Sequence, residues 1–551
     1  MSSWTKSTWK PRPDSQPNNA CFERALGPLE TSFYWDSVFN RTADTLRMAE
    51  FALTEESNRG FSAVKKDIER SWISLKHEFP LLGATLEERN GSSEVFFTVS
   101  EERLRTCISE EIDSRTVESA EEARAIVEVM VNGPPILSNN LLARVSVFHR
   151  KDQPSHYYLV LLVAHIITDG MANTTILRTF LDRMSSMPEG LRWDMKERLA
   201  LASPVEDLDP LQHLSIATRR WRLAIGRTIA TNRFKKLSGG HTLPRKITPR
   251  TPFTPAYSGS TAVMFSVEQS SNIIRNCRKY NLTFGNVYPV LAHVALARLL
   301  CRRFISGEMS SEEWEYRKRE PLMTAGPLNL RPFLDPEWFK RGGSGSPLVA
   351  ISFFYYTLPF MPLGSASSIA PGDSLPDFDK FMSLGRLVLR SHMIKQQATS
   401  LMKHPLFSEI TSTRLLANEE KTARIKKWQA GGIPEDLSDQ PLSALEQGKR
   451  GVVASHGGSS FGNVDLFVPL NYPLKNKKGD STLRLVSSET FLRCRPTELY
   501  LGAATSQRKL RIHVFWDVNV FEGAIVKEWL EEVGKAIEFY LGQDDSRQAC
   551  L

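Results

Sequence analysis

Eight consecutive apolar residues, Tyr157-Tyr-Leu-Val-Leu-Leu-Val-Ala164, run without a Pro or Gly and end on a histidine. A run this short, rich in β-branched and aromatic residues, reads as a buried strand. Because it is apolar at every position rather than at alternate ones, both faces of that strand have to be covered. The chain is thereby committed to a layered fold with this strand inside it. The next residues are His165-Ile-Ile-Thr-Asp169-Gly170, and beyond them Ile176, Leu177, Phe180, Leu181 and Met184 share one helical face. His165 therefore closes a rigid strand, and Asp169-Gly170 forms the turn into a helix. A histidine fixed at a strand end can take a proton from a bound hydroxyl, since imidazole titrates near neutrality.

Composition restricts the alternatives. At 551 residues the chain exceeds one ordinary core and divides into two or more domains. Its 41% hydrophobic and 24% charged content is that of a globular protein. The longest wholly apolar run falls far short of the roughly 20 residues of a membrane helix. The six cysteines are scattered with no Cys-x-x-Cys pair, which excludes a disulfide scaffold or zinc ribbon and fits a reducing compartment. The start, Met1 to Pro13, has no apolar stretch of a secretory signal, and Cys550-Leu551 is no prenylation box, so a cytoplasmic protein is expected. The net charge of +8 comes from dispersed clusters such as Arg219-Arg220, Lys235-Lys236, Lys426-Lys427 and Lys475-Asn-Lys477-Lys478. They are not interleaved with aromatics, which argues against nucleic acid; an anionic co-substrate suits them better.

Along the chain, helical patterns are expected around Asp44–Phe51 and Ala63–Phe79, and strands at Leu82–Glu88, Glu94–Val99 and Leu141–Phe148. Residues 1–25 read as an N-terminal arm and 26–228 as a first α/β lobe. Residues 229–255, basic and rich in Gly, Thr and Pro, read as a crossover linker, and 256–551 as a second lobe. The second lobe opens with a strand at Ser260–Val267 and helices at Glu268–Lys279 and Phe284–Phe304. It closes with strands at Thr490–Arg495 and Lys509–Trp516 and a helix from Gly523 to about Leu541.

His165-x-x-x-Asp169-Gly170, between a strand and a helix, resembles the motif of the BAHD, chloramphenicol acetyltransferase-like and condensation-domain superfamily. Two further segments fit. Asn329-Leu-Arg331-Pro332 resembles an Asn-x-Arg-Pro element of these proteins. Ser459-Ser460-Phe-Gly462-Asn463 resembles their looser second motif, although the Asp-Phe-Gly-Trp-Gly of plant members is absent. The resemblance implies an α/β (α+β) fold of two chloramphenicol acetyltransferase-like lobes with an active-site tunnel at their interface. It makes His165 the general base and Asp169 a structural residue that orients the motif. Arg331 is then the expected bidentate partner of Asp169. Ser459, Ser460, Gly462 and Asn463 are the expected oxyanion or substrate-binding set, with Asn329 in support.

In length, motifs and element order the chain is most similar to fungal secondary-metabolite acetyltransferases, the trichothecene 15-O-acetyltransferases among them. That implies an acyltransferase carrying acetyl from acetyl-CoA to the C-15 hydroxyl of a calonectrin-type sesquiterpenoid. No bound cofactor or metal is expected, nor a membrane span, and the protein is expected to be a monomer. Alternatives of the same fold are transfer to another polyketide or alkaloid alcohol, use of a carrier-protein thioester, or binding without catalysis. A rival from another class also exists, because Gly458-Ser-Ser460-Phe-Gly462 formally fits the Gly-x-Ser-x-Gly of serine hydrolases. A nucleophile elbow needs a helix directly after the serine, and the Pro-broken stretch Asn463–Pro473 does not supply one.

Overall fold

The computed structural model describes residues 7–13, 15, 19–54, 60–89, 94–186, 193–412, 417–434, 437–450, 452–474 and 481–543. The basic cluster Lys475–Lys478, the first six residues and Cys550-Leu551 lie outside them. The first half of the chain carries β1 (Lys10–Pro11), β2 (Cys21–Ala25), β3 (Thr45–Leu53) and β4 (Thr85–Glu88). It continues through β5 (Val95–Ser100), β6 (Ile112–Val117), β7 (Ala143–Arg150) and β8 (His156–Val163). The second half carries β9 (Ser258–Met264), β10 (Leu322–Asn329), β11 (Ile351–Leu358) and β12 (His456–Asn463). Then follow β13 (Asn471–Tyr472), β14 (Leu483–Leu492), β15 (Leu499–Ser506) and β16 (Lys509–Asp517).

These strands form three sheets, ordered β1-β2-β5-β4, β13-β14-β3-β8-β7-β6 and β11-β10-β12-β15-β16-β9. The apolar run is β8, paired antiparallel on one edge with β3 and on the other with β7. Its side chains from Tyr157 to Val163 are all buried. Residues Gly170–Ser185 then form a helix that buries Ile176, Leu177, Phe180 and Leu181. At roughly 1.5–3 kcal/mol for each large apolar side chain removed from water, this strand–helix pair is a stable base for whatever it carries.

Each lobe has its own core. One gathers around β3, β8 and the helix Phe61–Glu78, and the other around the helices Phe284–Ile305 and Gly523–Leu541. By length and composition Phe284–Ile305 is apolar enough to cross a membrane. Most of it is buried inside the second lobe, where apolar residues all round the helix meet protein.

Four expectations need correction. Asp44–Phe51 is not helical, because Thr45–Leu53 is β3, an interior strand between β14 and β8. Leu46, Met48 and Ala49 favour a helix locally, but burial between two strands overrides that preference. The proposed arm is not loose: β1 and β2 extend a sheet, and buried Ser7 donates its N–H to Asp207 at 2.8 Å. The proposed linker begins as the end of the helix Ile216–Lys235, and its His241, Thr242 and Leu243 are buried. The second lobe is not one run from 256 to 551, since β13 and β14 cross over and complete the first lobe's sheet.

Candidate active site

The end of β8 sets His165 on the seam between the lobes. Its backbone N–H donates to Asp44 Oδ1 at 2.9 Å, which ties the strand end to the start of β3. Its ring lies flat on Phe33, with centroids 4.1 Å apart and planes 8° from parallel. Phe33 comes from the helix Pro28–Val38, which opens with Pro at its first position. His165 is largely buried, with part of the residue still exposed. Burial, and after it the charge of Arg495, push its imidazole down to about 4, while Asp169 and Asp36 pull the other way. The ring is therefore neutral at physiological pH and free to accept a proton.

Asp169 is turned away from that opening and is almost fully buried. Its Oδ1 accepts the N–H of Ala172 at 2.9 Å, the usual cap of a helix start, which satisfies a backbone donor that would otherwise be bare. Its Oδ2 accepts Arg331 Nη1 at 2.8 Å and the N–H of Ala350 at 2.9 Å. The Asp169–Arg331 pair is single rather than bidentate. The other guanidinium nitrogen is spent on the carbonyls of Leu348 at 2.9 Å and Ser346 at 3.4 Å. Asn329 Oδ1 accepts the N–H of Arg331 at 3.1 Å and so fixes the bend after β10. Asp169 thus joins the first lobe's turn to the second lobe, and both its oxygens are in use.

The second-motif segment is strand β12. Successive side chains on a strand point to opposite faces, which separates the four residues expected to act together. Ser459 and Phe461 face the seam. A Cβ on Gly170 would lie 2.7 Å from Phe461 Cε2, so only glycine lets the ring approach the helix start. Ser460 faces the other way, toward Gly285 on the helix Phe284–Ile305. This removes Ser460 from the oxyanion set, and from a nucleophile elbow as well, since it stands inside a strand. Gly462 takes a left-handed φ of +72° beside a shift in register, and Asn463 Oδ1 caps the N–H of Asp465 at 3.1 Å. These two end the strand and shape its exit. Ser459 Oγ lies 2.6 Å from Tyr500 Oη on the neighbouring strand β15.

The sequence reading missed Phe33, Asp36, Asp44, Phe461, Arg495 and Tyr500. Asp36, one turn along the helix from Phe33, lies 3.0 Å from Arg495 and 3.3 Å from Lys421. Burial works to raise the Asp36 carboxyl, but Arg495 and Lys421 outweigh it and hold it below its ordinary range. No local pattern marks these residues, because they meet only through long-range packing. On another face of the same helix, Tyr34, Ser37, Arg41, Asn139 and Trp428 line a cavity of about 310 Å³ that does not include His165. Among the described residues no group of three or more His, Cys, Asp or Glu side chains is placed to hold a metal ion.

No protein-family model matches the sequence, and no curated protein does. Solved structures do match, over nearly the whole chain. The trichothecene 15-O-acetyltransferase of Fusarium sporotrichioides superposes with a TM-score of 0.70 at 14% identity, over 97% of this chain and 98% of that one. The starter condensation domain of rhizomide synthetase, crystallised as a mutant with C8-CoA, gives 0.56 at 11% identity over 94% and 95%. The condensation domain of the monacolin K polyketide synthase gives 0.54 at 10% identity over 94% and 97%. The chain has the two-lobed fold of chloramphenicol acetyltransferase-like and condensation-domain proteins.

Proposed function

We propose that this protein is a coenzyme A-dependent O-acyltransferase with His165 as general base. The observation that carries the proposal is the division of labour within the motif. The His165 ring is neutral, stacked on Phe33 and partly exposed, while Asp169 is consumed by Arg331, Ala172 and Ala350. A base at a strand end, with a serine hydroxyl on β12, the strand whose Phe461 packs on the start of the motif's helix, suits attack of an alcohol on a thioester.

In that reaction the acceptor hydroxyl gives its proton to the imidazole as its oxygen bonds to the thioester carbonyl carbon. Ser459 donates to the oxygen that becomes negative, with Tyr500 holding the serine, and such a donor contributes about 2.7–4 kcal/mol. Collapse breaks the C–S bond, and the imidazolium returns the proton to the departing thiolate. General-base catalysis of this kind contributes roughly 10²–10⁴-fold. No resident cofactor takes part; acetyl-CoA is a co-substrate.

For the acceptor we propose a hydroxyl of a fungal secondary metabolite, the C-15 hydroxyl of a trichothecene of calonectrin type first. The superposition on a trichothecene 15-O-acetyltransferase and the similar chain length support this choice. A carrier-protein thioester as donor is the second reading, favoured by the condensation-domain neighbours.

The test measures CoA thiol release with acetyl-CoA and a panel of hydroxylated trichothecenes, beside the same assay with a pantetheinylated carrier protein. The expected result is acceptor-dependent release that falls at least about 10²-fold in His165→Ala. Equal release from the variant removes His165 as base, and turnover only with the carrier favours the second reading.

A further inference from the structure

Three stretches far apart in sequence gather around the His165 ring and the groups that hold it. The helix Pro28–Val38 brings Phe33 and Asp36 to one face, three residues apart. Phe33 covers the imidazole, parallel to it. The Arg495 guanidinium lies 5.8 Å from the centre of the same phenyl ring. Arg495 is held by Asp36 at 3.0 Å and Glu498 at 3.7 Å, and Glu498 also accepts the Arg495 N–H at 2.7 Å. Lys421, on the helix Ala417–Gln429, reaches Asp36 at 3.3 Å and donates to the Ser32 carbonyl at 2.6 Å.

Structures that use an aspartate to orient a catalytic histidine spend the carboxylate on Nδ1. Here that role is open. Asp169 is occupied elsewhere, Asp44 holds only the backbone N–H, and His165 Nδ1 is buried with no side-chain partner. Something else has to fix the plane of the ring.

We propose that Phe33 and Arg495 are positioning residues for His165: the phenyl ring fixes the imidazole plane by stacking, and the arginine, tethered by Asp36 and Glu498, opposes the imidazolium. This deepens the acyl-transfer reading and rests on it for the role of His165. A parallel ring at contact distance resists tilting of the imidazole, and such aromatic pairs are favourable beyond the area they bury. The fixed cation keeps the base neutral between turnovers and, once a proton has been taken, hastens its release to the leaving thiolate.

The charged groups around the ring are Arg495, Asp36, Asp169 and Asp44, with Lys421, Glu498 and Arg331 behind them. Arg495 is the largest charged influence on His165, second only to burial. Removing it therefore raises the pH at which the ring protonates.

The experiment titrates the His165 imidazole by NMR in the full chain with ring-labelled histidine, the signal assigned by its loss in His165→Ala. In Arg495→Gln the midpoint is expected to move from about 4 toward the ordinary value of about 6.5, and in Arg495→Lys to return. An unmoved midpoint in folded Arg495→Gln overturns the proposal. If that variant does not fold, Arg495→Gln/Glu498→Gln removes an ion pair whole and leaves Asp36 with Lys421. The midpoint is still expected to rise, because Arg495 is the charge that acts most strongly on His165. Phe33→Leu keeps an apolar cover without the parallel ring, and kcat is expected to fall about tenfold or more at unchanged KM. An unchanged kcat overturns the stacking half. The NMR titration needs no turnover, so failure to find any acyl transfer sinks the function and leaves the clamp to be judged by itself.

Discussion

At the scale of single residues the seam is set by pairs that allow little freedom. Gly170 begins the helix after the motif, and its missing Cβ is the space Phe461 occupies. An alanine there forces the ring of Phe461 off its seat and shifts β12, which carries Ser459, relative to His165. Gly170→Ala is expected to lower kcat/KM about tenfold or more with little loss of stability, because a displacement near 1 Å can cost up to about 10²-fold in rate. Phe461→Leu in the Gly170→Ala background is expected to recover part of that loss by making room for the methyl group. Steady-state kinetics on the two variants decides it; no recovery in the double variant would assign the defect to the helix start rather than to the ring. His165, Asp169 and Gly170 were legible in the sequence because a strand, a turn and a helix in succession carry a local pattern, whereas Asn329 and Arg331 entered only through the resemblance of their segment to an Asn-x-Arg-Pro element. Phe33, Asp36 and Arg495 were not, since nothing next to them in sequence records that they meet.

At the scale of elements, register does most of the positioning. Strand β12 stands between β10 and β15, paired parallel with both, and the pairing decides which of its residues look into the seam. Its close fit to β10 depends on Gly326, where a Cβ would lie 2.4 Å from the Gly458 carbonyl oxygen. Backbone cannot move aside as a side-chain tip can. Gly326→Ala is therefore expected to cost roughly 1–3 kcal/mol of stability, the range for forcing an extra carbon into a close-packed site. Chemical denaturation of the variant reads this directly, and a loss below about 0.5 kcal/mol, the range of an ordinary surface substitution, would mean the strands separate easily. The same scale explains the clearest misreading. Thr45–Leu53 contains Leu, Met, Ala and Glu, all good helix formers, yet it lies between β14 and β8. Its strand state is imposed by partners about 110 and 440 residues away, which no local window contains. The second motif shows the same effect: Ser459 and Ser460, expected to act together, are turned to opposite faces because the sheet holds them extended.

At the scale of the molecule, two features join the halves into one folding unit. β14 completes the first lobe's sheet from the second half of the chain, and Arg331 reaches back to Asp169. A division into two independent lobes, natural from composition, thus underestimates how far the chain interleaves. Folding also encloses three histidines, His241, His293 and His456, all nearly free of solvent contact. His241 and His293 meet edge to face with centroids 4.6 Å apart, and Arg390 and His456 lie near enough to act on His293. Burial lowers all three: His241 to about 3, helped by Arg317 and Arg390, His456 to about 4, and His293 well below its usual value. In the unfolded chain each titrates near 6.5, so acid protonates the unfolded state first. The stability these neutral rings contribute is therefore complete above pH 6.5. It is lost as pH falls from there through their folded values, at a rate set by the extra protons the unfolded chain binds. At pH 5 the loss is on the order of 2 kcal/mol for each histidine if they act independently. The urea midpoint is expected to drop steeply between pH 7 and pH 5, and more shallowly in His241→Gln/His456→Gln, where two of the titrating rings are gone. A midpoint independent of pH across that interval would mean that the rings are protonated in the folded protein and that the cluster is open to water.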